Sequence, residues 1–151
     1  MSKVGFIGVG TMGCPMASNI ISKGNDLNFY DPYVHDENKS KLINLGAKYC
    51  TSIKDLLDDR DFIITMLPNG NNVKDVCLGE GGLLKQDKKD YIHIDMSTIL
   101  PADSIAINKE FELHNIKMFD APVARLVNNA IDGTLLILVG GDKNKFDEIK
   151  P

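Results

Sequence analysis

The clearest chemistry in the chain belongs to three glycines. They fall as Gly8-Val9-Gly10-Thr11-Met12-Gly13, after the apolar run Val4-Gly5-Phe6-Ile7 and before Cys14-Pro15-Met16-Ala17. A Gly-x-Gly-x-x-Gly turn between a strand and a helix suits a pyrophosphate. Gly8 permits the tight turn, Gly10 leaves the backbone open to the anion, and Gly13 lets the helix pack against the strand. The helix start adds free N–H groups and the positive end of a dipole. A bare glycine pattern would fit an unliganded turn equally well, and it is the flanking strand and helix that favour a ligand. Asp31 follows Gly13 by 18 residues, near the spacing of about 20 at which an acid accepts hydrogen bonds from an adenosine ribose. Its carboxylate would repel a 2′-phosphate, no arginine follows nearby, and Lys39 and Lys41 stand too far on to replace one. This pattern favours NAD over NADP, against the plainer reading that Asp31-Pro32 only opens a turn.

The elements that must position these residues alternate along the chain. Strands are expected at 3–8, 27–30, 47–50, 62–67, 91–95, 116–119 and 135–139. Helices are expected at 11–23, 36–45, 53–58, 71–78 and 101–113, with another begun at 142–150. Gly24 and Gly46 serve as stops and Ser52 as a cap. The alternation predicts an α/β fold: a doubly wound, mostly parallel Rossmann-type sheet with helices on both faces. Ligands of such a sheet sit outside the carboxyl ends of its strands. The polar and breaker residues collect there: Pro68-Asn69, Ser97-Thr98 and Asp120-Ala121-Pro122-Val123 each follow a strand. Ser97-Thr98 fits either a helix cap before Pro101 or a hydroxyl offered to a cofactor. His93, inside an apolar strand, reads as a packed core residue, and His35 and His114 as surface residues.

Composition narrows the field. The 151 residues suffice for one domain with a real core, and a net charge of −4 with no basic face argues against nucleic acid. No apolar run approaches the roughly 18 residues of a membrane span. Cys14, Cys50 and Cys77 lack metal-type spacing and read as reduced thiols of a cytoplasmic protein. No metal is expected. With strand residues read from Lys3, no signal or transit peptide is expected.

Taken together the blocks resemble the β-hydroxyacid dehydrogenase family, which includes 3-hydroxyisobutyrate dehydrogenase and tartronate semialdehyde reductase. The resemblance rests on Phe6 through Gly13 continuing to Met16-Ala17-x-Asn19, then Met66-Leu67-Pro68-Asn69, Asp95-Met96-Ser97-Thr98-Ile99-x-Pro101, Asp120-Ala121-Pro122-Val123 and Asp132-Gly133-Thr134-Leu135, in the family's order across essentially the whole chain. It implies that Gly8, Val9, Gly10, Thr11, Met12 and Gly13 hold the pyrophosphate of NAD and Asp31 the adenosine ribose. Leu67, Pro68 and Asn72 would line the adenine and ribose side. Thr98 would contact the nicotinamide end, and the loop after Val123, with Ala124 and Arg125, would reach the carboxylate of a small substrate.

Two departures stand out. Where the family has Ser-Gly-Gly, this chain has Ala124-Arg125-Leu126, so the serine hydroxyl is missing and a guanidinium stands beside its place. Arg125 could pair bidentately with a carboxylate or point into solvent. The family's catalytic lysine belongs to an all-helical second domain beyond Pro151, so no catalytic residue is nominated within 1–151. The resemblance therefore implies the cofactor-binding half of an NAD-dependent oxidoreductase. The parent would interconvert a small β-hydroxyacid and its semialdehyde, the full-length protein would be a homo-oligomer, and the half alone would be inactive. The alternatives are a non-catalytic dinucleotide-binding scaffold of the same superfamily, and an imine or 6-phosphogluconate type reductase. The second would call for more Lys and Arg around the substrate loop and a basic residue near Asp31.

Overall fold

The computed structural model describes residues 1–149. Six parallel strands form one sheet: β1 (Lys3–Ile7), β2 (Asp26–Tyr30), β3 (Lys48–Tyr49), β4 (Phe62–Thr65), β5 (Ile92–Asp95) and β6 (Lys117–Asp120). Their spatial order is β3-β2-β1-β4-β5-β6. The winding reverses between β1 and β4, where Ile7 pairs with Thr65, and that reversal opens a crevice at the carboxyl ends of the strands.

Alternation along the strands sends side chains to two cores. Val4 and Phe6 face the layer of α1 (Gly13–Ser22) and α2 (Asp36–Asn44), with Cys14, Ala17 and Leu42. Ile7 and Ile63 face α3 (Ile53–Leu56), α4 (Gly70–Leu78) and α5 (Pro101–Leu113), with Val73, Ile107 and Phe111. The expected stops form as read: Gly24 and Gly46 take φ of 84° and 101°, and their N–H groups donate to Ile21 and Ile43. Ser52 caps α3 by accepting from the Asp55 N–H at 3.1 Å, and Asn69 caps α4 by accepting from the Asn72 N–H at 3.1 Å.

The differences lie at the end of the chain. The expected seventh strand at 135–139 is only β8 (Leu136–Ile137). It pairs antiparallel with β7 (Val123–Ala124), a strand the sequence did not announce, in a separate two-stranded ribbon. Val123, the last residue of Asp120-Ala121-Pro122-Val123, joins Ala124 in the ribbon, and a dipeptide strand leaves no periodicity to read. Between the two lies an unexpected short helix, α6 (Val127–Asp132). The helix expected at 142–150 is a 3₁₀ segment over Lys143–Glu148, and Lys150 lies outside the described residues.

His93 is a core residue, fully buried and stacked on Phe111 with ring centroids 4.7 Å apart. Burial pushes its pKa down from 6.5 to about 3. Below pH 6.5 an unfolded histidine takes up a proton that folded His93 refuses, so stability drains away as pH falls toward 3, by about 1.4 kcal/mol per pH unit. Urea denaturation checks this: His93→Gln should lose clearly less stability than the unsubstituted protein between pH 6.5 and about pH 4, whereas parallel losses would contradict it.

Candidate cofactor site

The glycine turn is held in shape from three sides. Gly8 sits at φ 92°, and a Cβ there would come within 2.3 Å of the Met66 carbonyl oxygen. A Cβ on Gly13 would fall 1.9 Å from the Gly8 carbonyl oxygen. Both positions therefore exclude side chains on steric grounds alone. Gly10 differs, since a Cβ there meets nothing within 4 Å because it points into the crevice. The N–H groups of Gly10, Thr11, Met12 and Gly13 donate to no acceptor among the described residues, and no acid occupies the first turn of α1. Four donors at a helix start with no competing carboxylate form a cradle for an anion.

Val9 turns the other way. Its side chain is completely buried, its N–H donates to Asp31 Oδ2 at 2.9 Å, and its carbonyl accepts from Asn38 Nδ2 at 2.9 Å. Val9, which the sequence gives to the cofactor, shapes the turn through these bonds and is not among the residues that line the crevice. Asp31 Oδ1 also accepts the Tyr33 N–H at 2.9 Å. Each carboxylate oxygen keeps a second lone-pair direction, so the group can still accept from hydroxyls while it pins β2 to the glycine turn.

Gly8, Gly10, Thr11, Met12, Gly13, Asp31, Leu67, Pro68 and Asn72 converge on one cleft of about 640 Å³, within the range of small-molecule sites. Tyr33, His35 and Val76 line it too. Sequence reasoning passed over them, although Tyr33 and His35 stand within four residues of Asp31 and Val76 lies one helical turn past Asn72. Thr98 is exposed beyond β5 and does not line this cleft. A second cavity of about 840 Å³ lies between α5 and β6, remote from the glycine turn and Asp31.

Leu67 is placed by a buried polar chain. The Thr65 hydroxyl donates to Asp95 Oδ1 at 2.8 Å, so its oxygen accepts from His93 Nε2 at 3.0 Å. The Ser97 N–H donates to the same carboxylate oxygen, and the Ser97 hydroxyl accepts the Leu67 N–H at 2.9 Å. Burial raises the Asp95 pKa, and bonds from Ser97 and Thr65 oppose that rise. Ser97 is thus a buried support for the loop after β4. It is not a helix cap, because the N-cap of α5 is Leu100, Pro101 opens the helix and no side chain caps it.

Ala124 lies half-buried in β7, opposite Leu136. Arg125 is exposed at φ 87°, a left-handed conformation unusual for arginine. Its Nη1 donates to the Thr134 carbonyl at 3.0 Å, and among the described residues no carboxylate pairs with it. Neither residue lines the 640 Å³ cleft. No group of His, Cys, Asp and Glu that could hold a metal occurs among the described residues.

A family model described as the NAD binding domain of 6-phosphogluconate dehydrogenase matches residues 3–151. The chain is 39% identical to the 3-sulfolactaldehyde reductase of Escherichia coli (strain K12), over all of this chain and 50% of that protein. It is 43% identical to the mitochondrial 3-hydroxyisobutyrate dehydrogenase of Rattus norvegicus, over 95% of this chain and 42% of that protein. The solved structure of Mycobacterium tuberculosis 3-hydroxyisobutyrate dehydrogenase with L-serine superposes with a TM-score of 0.89 at 30% identity, covering 100% of this chain and 50% of that one. The chain spans about half the length of the curated relatives it matches.

Gly10 and Gly13 separate binding from folding. Gly10→Ala should leave the unfolding midpoint nearly unchanged while weakening NADH binding about tenfold or more, since its Cβ enters only the anion's path. Gly13→Ala should lower the unfolding midpoint as well. Titration calorimetry beside thermal unfolding checks the pair, and equal NADH affinity for Gly10→Ala and the unsubstituted protein would contradict it.

Proposed function

We propose that this chain, which belongs to the family of the NAD binding domain of 6-phosphogluconate dehydrogenase, is the cofactor-holding half of an NAD-dependent oxidoreductase of the 3-hydroxyisobutyrate dehydrogenase type. The observation that carries this reading is the cradle of four free N–H groups at the start of α1, with Asp31 at the neighbouring strand end. The pyrophosphate rests on Gly10, Thr11, Met12 and Gly13, and the ribose hydroxyls donate to Asp31. Leu67, Pro68 and Asn72 close the adenine side, and Thr98 stands toward the nicotinamide. The bound cofactor supplies hydride exchange with the hydroxyl-bearing carbon of a small β-hydroxyacid or its semialdehyde. The protein supplies orientation, a dry crevice and recognition of the substrate's acidic head. The proton for the carbonyl oxygen comes from a lysine in a helical second domain following this one, through which the full-length protein assembles with copies of itself. Three buried free cysteines favour the cytoplasm, and no described helix is long and apolar enough to cross a membrane.

Arg125 supports a particular head group. It stands where relatives of this type carry glycine, and a guanidinium fork suits a sulfonate as well as a carboxylate. The 39% identical relative named for 3-sulfolactaldehyde favours the sulfonate as a second reading of the same site.

Two measurements test these assignments. The protein should bind NADH at least tenfold more tightly than NADPH, and Asp31→Ala should erase most of that difference, about 1.4 kcal/mol per tenfold. Tighter binding of NADPH would overturn the ribose assignment. The full-length protein should oxidise NADH with tartronate semialdehyde or 3-sulfolactaldehyde, and Arg125→Ala should raise KM for the accepted substrate about tenfold or more. Absence of turnover with any small acidic aldehyde would leave the scaffold reading in its place.

A further inference from the structure

Asn19 has no part in the cleft, yet it is the polar tie between the two regions that the reaction must bring together. It stands on α1 six residues past Gly13, about 9 Å along the helix from the anion cradle. Its Nδ2 donates to the Ala130 carbonyl at 2.6 Å and to the Ile131 carbonyl at 3.3 Å. These are two of the last carbonyls of α6, which no intrahelical donor can satisfy. Gly133 ends α6 in the left-handed conformation at φ 67°, and a Cβ there would rest 3.6 Å from the Asn19 amide. Ala130, 1% exposed, packs in the same core as α1.

The other polar contacts of this segment are internal to it. Arg125 reaches the Thr134 carbonyl at 3.0 Å, Asn129 Oδ1 accepts the Leu126 N–H at 3.3 Å, and Asn129 Nδ2 donates to the Thr134 hydroxyl at 3.0 Å. The Thr134 N–H donates to the Asn129 carbonyl at 2.8 Å. Residues 125–134 thus form a small self-bonded block with Arg125 at one end. Among the described residues, Asn19 supplies the side-chain hydrogen bonds that reach this block from the rest of the domain.

We propose that Asn19 is a positioning residue that fixes this block, and with it the Arg125 guanidinium, relative to the cofactor turn. The proposal rests on the reading of Arg125 as the substrate's anion contact. Removing the amide frees the block to shift on α1 while the N–H cradle, six residues away, keeps its shape. The loss therefore falls on the substrate and spares the cofactor. A simple stabilising cap would instead lower stability without separating the two.

The test uses the full-length protein with NADH and either tartronate semialdehyde or 3-sulfolactaldehyde, whichever is turned over. Asn19→Ala should raise KM for the aldehyde about tenfold while the NADH Kd stays within about twofold. In an Arg125→Ala background the same substitution should add little, because the two residues act through one contact. Asn19→Asp keeps the side chain's size but turns an oxygen toward the two carbonyls. It should reproduce the KM effect and provides the measurement should Asn19→Ala not fold. Unchanged KM, a KM and NADH Kd that weaken in step, or additive effects in the double variant would each overturn the proposal. If Arg125→Ala alone leaves KM unchanged, the substrate reading fails and the role of Asn19 falls with it. If only Arg125→Ala raises KM, the substrate reading stands and the role of Asn19 fails alone.

Discussion

Nothing larger than hydrogen can stand between the Gly8 carbonyl and the first residue of α1. A Cβ on Gly13 would fall 1.9 Å from that oxygen, so the helix begins directly on the end of β1. The approach places four residues with unpaired N–H groups, Gly10 to Gly13, along the crevice where the winding reverses between β1 and β4. The turn is then locked from the side, because Val9 gives its N–H to Asp31. One carboxylate thereby shapes the glycine turn while keeping lone pairs free toward the crevice it lines. A substitution at Asp31 disturbs both, which is why Gly10 is the cleaner probe of binding alone.

The far wall depends on a different kind of constraint. Thr65, His93, Asp95 and Ser97 are all fully buried at the carboxyl ends of β4 and β5. Unpaired polar groups are costly there; the Thr65 and Ser97 hydroxyls and Asp95 Oδ1 bond one another and the chain ends on the Leu67 N–H, while Asp95 Oδ2 and His93 Nδ1 stay buried without a partner among the described residues. Buried bonding of this sort adds to the packing of Met66 and Leu67 on the two cores and gives the loop a defined position. The family to which the chain belongs accounts for the cofactor; these contacts account for how this particular sequence builds the walls around it.

The core of the domain was legible because its signals are local and repeat. The apolar runs of β1 and β4, the glycine stops at Gly24 and Gly46 and the cap at Ser52 each carry their own physical reason within a few residues. The glycine turn and Asp31 were legible as a pair of spaced signals. Val9 was not, since a motif position says nothing about which way a peptide unit faces. Ser97 was legible as a hydroxyl at a strand end, but its burial and its bond to Leu67 arise from contacts 30 residues apart. β7 escaped because a two-residue strand has no period, and α6 because six residues span less than two helical turns; β8 was expected, but as a longer strand over 135–139. The tie from Asn19 to α6 spans 111 residues and leaves no trace in local pattern.

NAD bound in the cleft between the glycine turn, Asp31 and Leu67 would be seen in the amide chemical shifts of the isotopically labelled protein during titration with NAD. The largest changes should fall at Gly10, Thr11, Met12 and Gly13, with changes at Tyr33 and Leu67, and little movement along α5 and β6. Shifts concentrated at Asn108, Lys109 and Gly141, around the 840 Å³ cavity between α5 and β6, with the glycine turn unmoved, would contradict it.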